Sequence, residues 1–359
     1  MVLALVLILI VVGALEFHYM SPWWLTPIAS NWQQMDDALL LTFAITGVAF
    51  VVINLFIAYA LVTFRHQDGV RAAAEHGSTR LEWSLIVATS IGIIAMLAPG
   101  LSVYAKLISA PPDAMVFEVL GQQWQWHYRL PGKDGKLGRT DVRFTNAANP
   151  FGVNPSDPDG QDDLLVDGQE IHVPVHRPVR VMLRAQDALH DFYVPQFRTR
   201  MNMVPGMVTS FWFTPNAVGR YEVLCAQLCG IGHFNMRSHV LVDEPADYAR
   251  WLAAQPTFAA SLSAPPEPGR QGRLLAQSRG CMACHSVDGS ASAGPTWRGL
   301  FGKRETMSDG VVIKVDDAYL RESISNPRAH IVKGFPPIMP EQQFSPADLA
   351  ALVDYIKKL

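Results

Sequence analysis

Two long stretches without a charged side chain constrain the fold of this chain more than any other feature of its sequence. No Asp, Glu, Lys or Arg occurs from Ala38 to Phe64, and a second uncharged run extends from Leu85 to Ala105. An α-helix needs about 20 apolar residues to cross a bilayer, so each run is long enough to span it with some tilt. A buried soluble hairpin is improbable for two runs of this length. Residues 38–108 are therefore predicted to form a transmembrane helical hairpin.

The first fifteen residues of the chain form a third apolar stretch. They lack the basic n-region of a secretory signal peptide. Fifteen residues are also fewer than the roughly 20 that a full span requires. Residues 1–15 are therefore predicted to form a short first membrane helix, and an uncleaved signal-like anchor is the alternative.

The positive charges near the predicted hairpin indicate its orientation. Arg65, Arg71 and Arg80 lie in or beside the loop between the two runs, whereas the segment from Glu16 to Asp37 has acidic residues and no Lys or Arg. Short loops that carry Arg and Lys remain on the cytoplasmic side of a membrane. The loop is therefore predicted to be cytoplasmic, which places everything after Lys106 outside.

Length and composition indicate a mixed membrane and soluble architecture. The chain has 359 residues, enough for two soluble domains beside the membrane segments, and its hydrophobic fraction is 49%. The net charge of −3 argues against nucleic acid as a partner. All four cysteines fall in two short motifs, which indicates binding sites rather than a disulfide framework.

Residues 112–247 consist of short runs rich in β-branched and aromatic residues, separated by Pro, Gly and Asp. Many short strands between turn signals are typical of an all-β sandwich or barrel. The predicted strands are Val116–Leu120, Trp124–Leu130, Glu170–Val175, Val179–Ala185, Val208–Thr214 and Tyr221–Leu224.

Near the end of this region, Cys225, Cys229, His233 and Met236 fall within twelve residues. Thiolate, imidazole and thioether together favour copper, and a weak axial Met is typical of electron-transfer copper sites. One such copper needs a single Cys, so two cysteines suggest a pair of metals bridged by both sulfurs. Three alternatives remain open at this point: a disulfide, half of a structural zinc site, or Met236 as core filler.

A second cofactor motif follows a stretch rich in Pro and Ala, residues 251–268, which is predicted to be a linker. Cys281, Cys284 and His285 form the C-x-x-C-H pattern of covalent c-type haem attachment. Met339 stands beside Pro340, in the place where class I cytochromes c carry their axial Met; Met307 lacks flanking prolines. Residues 269–359 are therefore predicted to be an all-α class I cytochrome c domain with His and Met ligation.

The cysteine-rich stretch resembles the binuclear copper A loop of cytochrome c oxidase subunit II, whose pattern is C-x-E-x-C-G-x-x-H-x-x-M. That family takes a further His from a D-x-L-H segment, which the chain has at residues 187–190. The resemblance implies that Cys225 and Cys229 bridge two coppers and that His190 and His233 each bind one. Met236 is then the weak axial ligand on one copper, and the backbone carbonyl of Gln227 on the other.

The resemblance assigns roles to three further positions. The family usually has Glu at the position of Gln227, and this carboxylate helps to hold magnesium at the contact with subunit I. The copper ligand at this position is the backbone carbonyl, which Gln also provides. The carboxylate is missing here, so magnesium binding is doubtful. Trp124, in Gly121-Gln122-Gln123-Trp124, matches the Trp over the copper site at which electrons arrive. Glu82 matches a Glu at the mouth of a proton channel into subunit I, although Trp83-Ser84 departs from the family's usual sequence.

Taken over the chain from residue 38 onward, the resemblance implies subunit II of a haem-copper cytochrome c oxidase with a fused C-terminal cytochrome c and a cupredoxin-like barrel. Electrons would pass from soluble cytochrome c or another upstream respiratory complex through haem c and copper A to subunit I, which reduces oxygen and pumps protons beside subunit III. The implied location is the bacterial inner membrane, with both cofactor domains on the periplasmic face. A copper subunit of a membrane nitric oxide reductase and a membrane-anchored copper carrier with an appended cytochrome are the alternatives.

Overall fold

The computed structural model describes residues 1–21, 26–66, 68–69, 77–167, 170–263 and 269–359. The chain divides into two compact units, residues 1–109 with 196–198 and residues 110–195 with 199–359. Arg71 of the predicted cytoplasmic loop and residues 264–268 of the predicted linker lie outside the described residues.

The first unit contains three apolar helices, α1 (Val2–Met20), α2 (Gln33–Thr63) and α3 (Thr79–Leu107). By length and composition, all three are able to cross a membrane. Each helix is longer than the uncharged run that predicts it, because charged residues such as Asp36, Glu82 and Lys106 occupy the terminal turns. The short predicted N-terminal helix is thus a helix of 19 residues that continues past Glu16.

Two five-stranded sheets form the first part of the second unit. One has the order β3-β2-β1-β5-β8 and the other has the order β4-β10-β9-β6-β7. The strands are β1 (Met115–Gln122), β2 (Gln125–Leu130), β3 (Leu164–Asp167), β4 (Glu170–Pro174), β5 (Val179–Ala185), β6 (His190–Val194), β7 (Thr199–Met203), β8 (Thr209–Phe213), β9 (Gly219–Cys225) and β10 (Arg237–Asp243). The predicted all-β architecture is therefore confirmed.

Aromatic side chains fill the space between the two sheets. Phe192 of β6 packs edge-on against Trp126 of β2, with ring centroids 5.4 Å apart, and it also contacts Phe211 of β8. All three rings are buried. Two sheets that pack face to face in this way make a core about 10 Å thick. The indole of Trp126 is therefore part of the core between the sheets.

A buried ion network crosses β1 and β2. The Arg129 guanidinium donates to Glu118 Oε2 at 2.8 Å and to Asp163 Oδ2 at 3.1 Å, and all three side chains are buried. Asp163 Oδ1 is also buried, and it has no hydrogen-bond partner among the described residues. Burial raises the pKa of the Asp163 carboxyl to about 7, although Arg129 and the Gly138 amide oppose the shift.

Asp163→Asn should therefore remove a pH dependence of stability. Between the usual Asp pKa of 3.8 and about 7, the folded protein holds a proton that the unfolded chain has released. The contribution of Asp163 to the free energy of unfolding then falls as pH rises through this window. Asn does not titrate, so the midpoint of thermal unfolding of the two five-stranded sheets should vary less with pH in the variant. Equal pH slopes for the two proteins would contradict the shift.

After β10 the chain forms two further helices, α4 (Pro245–Ala254) and α5 (Phe258–Ser263). The sequence predicts a linker from residue 251, but α4 continues to Ala254 and α5 lies within the same stretch. The ring of Phe258 is fully buried against Leu120 and Phe151 of the β-rich part. This ring, together with the backbone bond from the Phe258 amide to the Asp163 carbonyl at 2.7 Å, fastens the Ala- and Ser-rich segment to the β-rich part.

The C-terminal part contains α6 (Arg270–Ser278), the small hairpin β11 (Arg304–Thr306) and β12 (Val312–Lys314), α7 (Asp317–Ser325) and α8 (Pro346–Ile356). Helix α6 crosses α8 at Gly272, where a Cβ atom would lie 2.2 Å from the Ala351 carbonyl oxygen. The Ser345 hydroxyl caps α8 by accepting from the Asp348 amide at 3.1 Å. The helices carry the apolar core of this part, and the hairpin is an addition to the predicted all-α arrangement.

Candidate metal centre and haem pocket

Strand pairing brings the predicted copper ligands together. Cys225 is the last residue of β9, and His190 is the first residue of β6. These strands are antiparallel neighbours, with Phe192 opposite Cys225. The loop that leaves β9 carries the other ligands before β10 begins at Arg237. A distant His and a local loop therefore meet at one end of the second sheet.

The predicted ligand atoms surround a single pair of sulfurs. Cys225 Sγ lies 3.7 Å from Cys229 Sγ, 3.9 Å from His190 Nδ1 and 3.2 Å from the Gln227 carbonyl oxygen. Cys229 Sγ lies 3.6 Å from His233 Nδ1 and 3.9 Å from Met236 Sδ. Each sulfur thus has one imidazole nitrogen and one weaker acceptor beside it. This symmetric set could hold two metal ions that share both thiolates.

The geometry and chemistry of this cluster discriminate among the three alternatives. Both thiols are free, and their separation of 3.7 Å is far longer than the roughly 2.05 Å of a disulfide. Met236 is buried with its sulfur beside Cys229, so it faces the cluster as well as filling space. A structural zinc site has no use for a thioether. Thiolates, imidazoles and a thioether together fit copper.

The close contact of the two thiols favours ionisation of one of them. The hydrogen bond from Cys229 lowers the pKa of the Cys225 thiol to about 3, against the opposing effect of burial. The same contact raises the pKa of Cys229. Metal ligation requires deprotonated cysteine, so the site already favours one of the two thiolates and a metal would supply the charge that stabilises the second.

Asp187 fixes the orientation of the His190 ring. His190 is fully buried, and its Nε2–H donates to Asp187 Oδ1 at 2.9 Å, which leaves Nδ1 facing Cys225. The other carboxylate oxygen of Asp187 accepts from the Gln123 amide at 2.8 Å. In the sequence, Asp187 is only part of a motif, whereas the structure shows that its carboxylate orients the predicted ligand His190.

Asp187→Ala should weaken copper binding without removing any of the predicted ligands. Loss of an outer partner of a metal-bound His typically costs about 10–100-fold in metal affinity. We expect a loss of that size, measured by competition for copper with a chelator of known affinity. Glu222→Ala is the matched control, because its carboxylate forms an exposed ion pair with Arg237 on the same sheet. Equal losses in the two variants would contradict a specific role for Asp187.

Trp124 lies directly against the copper loop. Its indole Nε1–H donates to the Cys229 carbonyl at 3.1 Å, and the Gln123 amide group donates to the same oxygen at 2.8 Å. A Cβ atom on Gly232 would lie 2.4 Å from the indole ring, so only glycine leaves space for it there. The sequence predicts the position of Trp124, but the part played by Gln123 appears only in the structure.

The four predicted haem-binding residues line one apolar cavity. Cys281, Cys284, His285 and Met339 all contribute to its wall, and so does Trp124. Both of these cysteines are free in the described chain, as thioether attachment to a porphyrin would require. Met307, the other candidate axial residue, is buried in the helical core and does not line this cavity.

The fold presents His285 to this cavity in one tautomer. Its Nδ1–H donates to the Pro295 carbonyl at 2.7 Å, which leaves Nε2 as the available ligand atom. The ring stacks on Trp297, with centroids 5.1 Å apart. Burial lowers the pKa of His285, which favours the neutral form that binds iron. The residues present therefore fit a covalently attached haem.

Comparisons with known proteins agree with this geometry. Residues 115–242 match the family model for the periplasmic domain of cytochrome c oxidase subunit II, and residues 270–359 match the cytochrome c model. The alternative cytochrome c oxidase subunit 2 of Bradyrhizobium diazoefficiens is 51% identical over 259 residues, 72% of this chain and 94% of that protein. The chain belongs to the cytochrome c oxidase subunit II family.

A second member of this family, cytochrome c oxidase subunit 2 of Alkalihalophilus pseudofirmus, is 24% identical over 348 residues, 93% of this chain and 90% of that protein. Among solved structures, the periplasmic domain of subunit II of cytochrome oxidase (CoxB) of Bradyrhizobium japonicum matches 40% of this chain and 95% of its own, with 22% identity and a TM-score of 0.31.

Membership of the subunit II family settles the general role of the chain. It is a component of an oxidoreductase complex, with an electron-transfer role in a haem-copper oxidase. The periplasmic-domain model implies copper A, and the cytochrome c model implies haem. Three apolar helices ahead of a periplasmic domain make it a membrane protein with an outward domain.

Other residues of this subunit II chain lie apart from the two sites. His239, three residues after Met236, lies in β10 and is not part of the cluster formed by His190, Cys225 and Cys229. His172 forms a hydrogen bond with Asp243 at 2.6 Å instead of binding at either site. Glu82 lies in the first turn of α3, within the membrane unit.

Proposed function

We propose that the chain passes electrons from an external donor through haem c and binuclear copper A to the haem of subunit I, where oxygen is reduced and protons are pumped. One observation carries this route. Trp124 lines the haem cavity, and its indole donates a hydrogen bond to the Cys229 carbonyl in the copper loop. A single residue therefore lies at both predicted cofactor sites.

In this proposal the copper pair is held by Cys225 and Cys229, with His190, His233, Met236 and the Gln227 carbonyl completing the ligands. Haem is attached through Cys281 and Cys284 and ligated by His285 and Met339. When bound, both cofactors supply one-electron redox chemistry. The protein keeps the ligands still, because His190 and Cys225 lie on paired strands and the His190 and His285 rings are each fixed by a hydrogen bond.

The proposed setting is the bacterial inner membrane, with the membrane hairpin at residues 38–108, the copper domain at 112–247 and the cytochrome domain at 269–359. Subunits I and III are the proposed partners, and soluble cytochrome c or another upstream respiratory complex is the proposed donor. Glu82, in the first turn of α3, would lie at a proton-channel mouth. Magnesium is left out, because Gln227 has an amide where the family has a carboxylate.

Spectra, metal analysis and gas consumption of the purified complex test this proposal together. We expect two copper ions and one haem c for each copy of this chain, with oxygen consumed when reduced cytochrome c is supplied. Consumption of nitric oxide instead of oxygen would favour the reductase alternative. Recovery of the chain without a many-helix haem subunit would favour the copper carrier.

A further inference from the structure

The turn between β1 and β2 contacts the haem-binding part of the same compact unit. We call residues Gln122–Gln125 the glutamine turn. The Gln122 side-chain amide donates to the Ser278 carbonyl at 2.8 Å, and the Gln125 side-chain amide donates to the Gln277 carbonyl. Both carbonyls belong to the last turn of α6, just before the haem-attachment motif.

The Gln122 bond satisfies the Ser278 carbonyl, which the helix end otherwise leaves open. The Gln125 bond adds another donor to the Gln277 carbonyl, which also accepts from the Gly280 amide at 3.0 Å. The last four carbonyls of an α-helix have no partner within the helix, and they need a cap or water. Here the cap comes from a different part of the chain, more than 150 residues away in sequence. The bonds join neutral groups, so their strength depends on geometry and little on salt.

Gly280 lies directly against the glutamine turn. It is buried and has a φ of +69°, and a Cβ atom there would lie 2.5 Å from the Gln123 carbonyl oxygen and 3.0 Å from the Trp124 amide nitrogen. Any side chain would push these backbones apart. The next residue is Cys281, a predicted haem attachment point, so a shift of this backbone would also move that residue relative to Trp124.

The glutamine turn also contacts the copper loop and the residue that orients His190. The Gln123 backbone amide donates to Asp187, which holds His190, and the Gln123 side chain donates to the Cys229 carbonyl. Gln123, whose carbonyl Gly280 approaches, is therefore hydrogen-bonded to groups on both sides of the predicted metal pair. A shift at Gly280 would alter the spacing between the two sites without changing a ligand of either.

We propose that Gly280, together with the side-chain amides of Gln122 and Gln125, is a latch that seats the cytochrome domain on the copper domain. Gly280 is a positioning residue: it permits the approach, and the two amides hold it by capping α6. This inference rests on the proposed function, because its purpose is to bring haem c within electron-transfer reach of copper A.

The test compares Gly280→Ala with Gly299→Ala in the purified full complex. Gly299 has a similar φ of +62° and nothing within 4 Å of a Cβ position, so its variant carries the same backbone strain without the clash. Overpacking of a tight contact is expected to lower the docked population by about tenfold or more. Gln125→Glu is the second variant, since it replaces the donor by an acceptor of the same shape and leaves the cytochrome domain unchanged.

Two measurements that do not depend on turnover report docking. Hydrogen exchange of residues 270–280 and 122–125 should increase in Gly280→Ala and Gln125→Glu, and relaxation of the copper EPR signal by the oxidised haem should weaken. A third measurement follows the electron itself. The rate of electron transfer from photoreduced haem c to copper should fall by about tenfold or more, in proportion to the fraction of docked molecules that is lost.

The outcomes distinguish a failure of the proposed latch from a failure of the proposed electron transfer from haem c to copper A. No change in exchange or EPR relaxation, or equal changes in Gly280→Ala and Gly299→Ala, would overturn the latch while leaving the proposed function intact. Increased exchange and weaker relaxation with an unchanged electron-transfer rate would support the latch and contradict the haem-to-copper route. Changes in all three measurements, confined to Gly280→Ala and Gln125→Glu, would support both.

Discussion

Cys225→Ser is expected to abolish the copper pair and to stop electron delivery to the partner subunit. The Cys225 sulfur lies beside Cys229, His190 and the Gln227 carbonyl, so both proposed metal positions depend on it. A serine hydroxyl is neither soft nor ionised at neutral pH, and copper selects soft ligands. The loss of copper affinity should exceed the about 100-fold that loss of an outer partner costs. Metal analysis and the copper EPR signal measure it.

Two controls confine this effect to the copper site. The haem spectrum of Cys225→Ser should remain normal, because Cys281 and Cys284 provide the attachment in a separate cavity. Met236→Leu should retain both copper ions and shift their potential, because a weak axial ligand tunes a copper site more than it holds the metal. Full copper occupancy in Cys225→Ser would disprove the bridging assignment.

The sequence locates the parts of the copper site that are close together in the chain. Cys225, Cys229, His233 and Met236 share one loop, so their spacing alone indicates a ligand cluster. His190 is different, because only the pairing of β6 with β9 brings it to Cys225. A residue pattern does not show which strands pair, so His190 was predicted as a ligand only from the family resemblance.

The structure adds residues whose roles depend on contacts between distant segments. Gln123 and Gly280 are ordinary turn residues in the sequence, yet one bonds to the copper loop and the other touches the Gln123 carbonyl. Gly280 directly precedes a haem-attachment cysteine, which offers a local explanation for a glycine. Its buried approach to another part of the chain cannot be deduced from that position.

The residue patterns predicted β1, β2, β4, β5, β8 and β9, but they missed β3, β6, β7 and β10. Strand β3 is apolar but has only four residues. Strands β6 and β10 begin with His190-Asp191 and Arg237-Ser238, so neither opens with the apolar residues that mark a strand. Asp191 is nevertheless buried, where it pairs with Arg200. Residue patterns also missed α5 in the predicted linker. Phe258 stands among Ala and Ser and gives no periodic pattern, although its buried ring holds α5 against the β-rich part.

Met339→Ala is expected to stop electrons from entering through haem c while leaving the copper spectrum intact. Met339 lines the haem cavity together with His285, and a Met ligand raises the potential of a haem. Axial ligands set haem potentials over a range of about 0.8 V. A fall of only about 59 mV makes one-electron reduction tenfold less favourable. Turnover with reduced soluble cytochrome c should therefore drop by at least about tenfold.

Met307→Leu is the matched control for this prediction. Met307 belongs to the helical core of the same domain and does not line the haem cavity, and exchange of Met for Leu conserves volume at small cost. Its haem spectrum and turnover should match the unsubstituted protein. Normal turnover in Met339→Ala, with the haem spectrum altered, would mean that electrons reach copper A without passing through the tethered haem. Normal spectra and turnover in Met339→Ala would instead remove Met339 from the ligands.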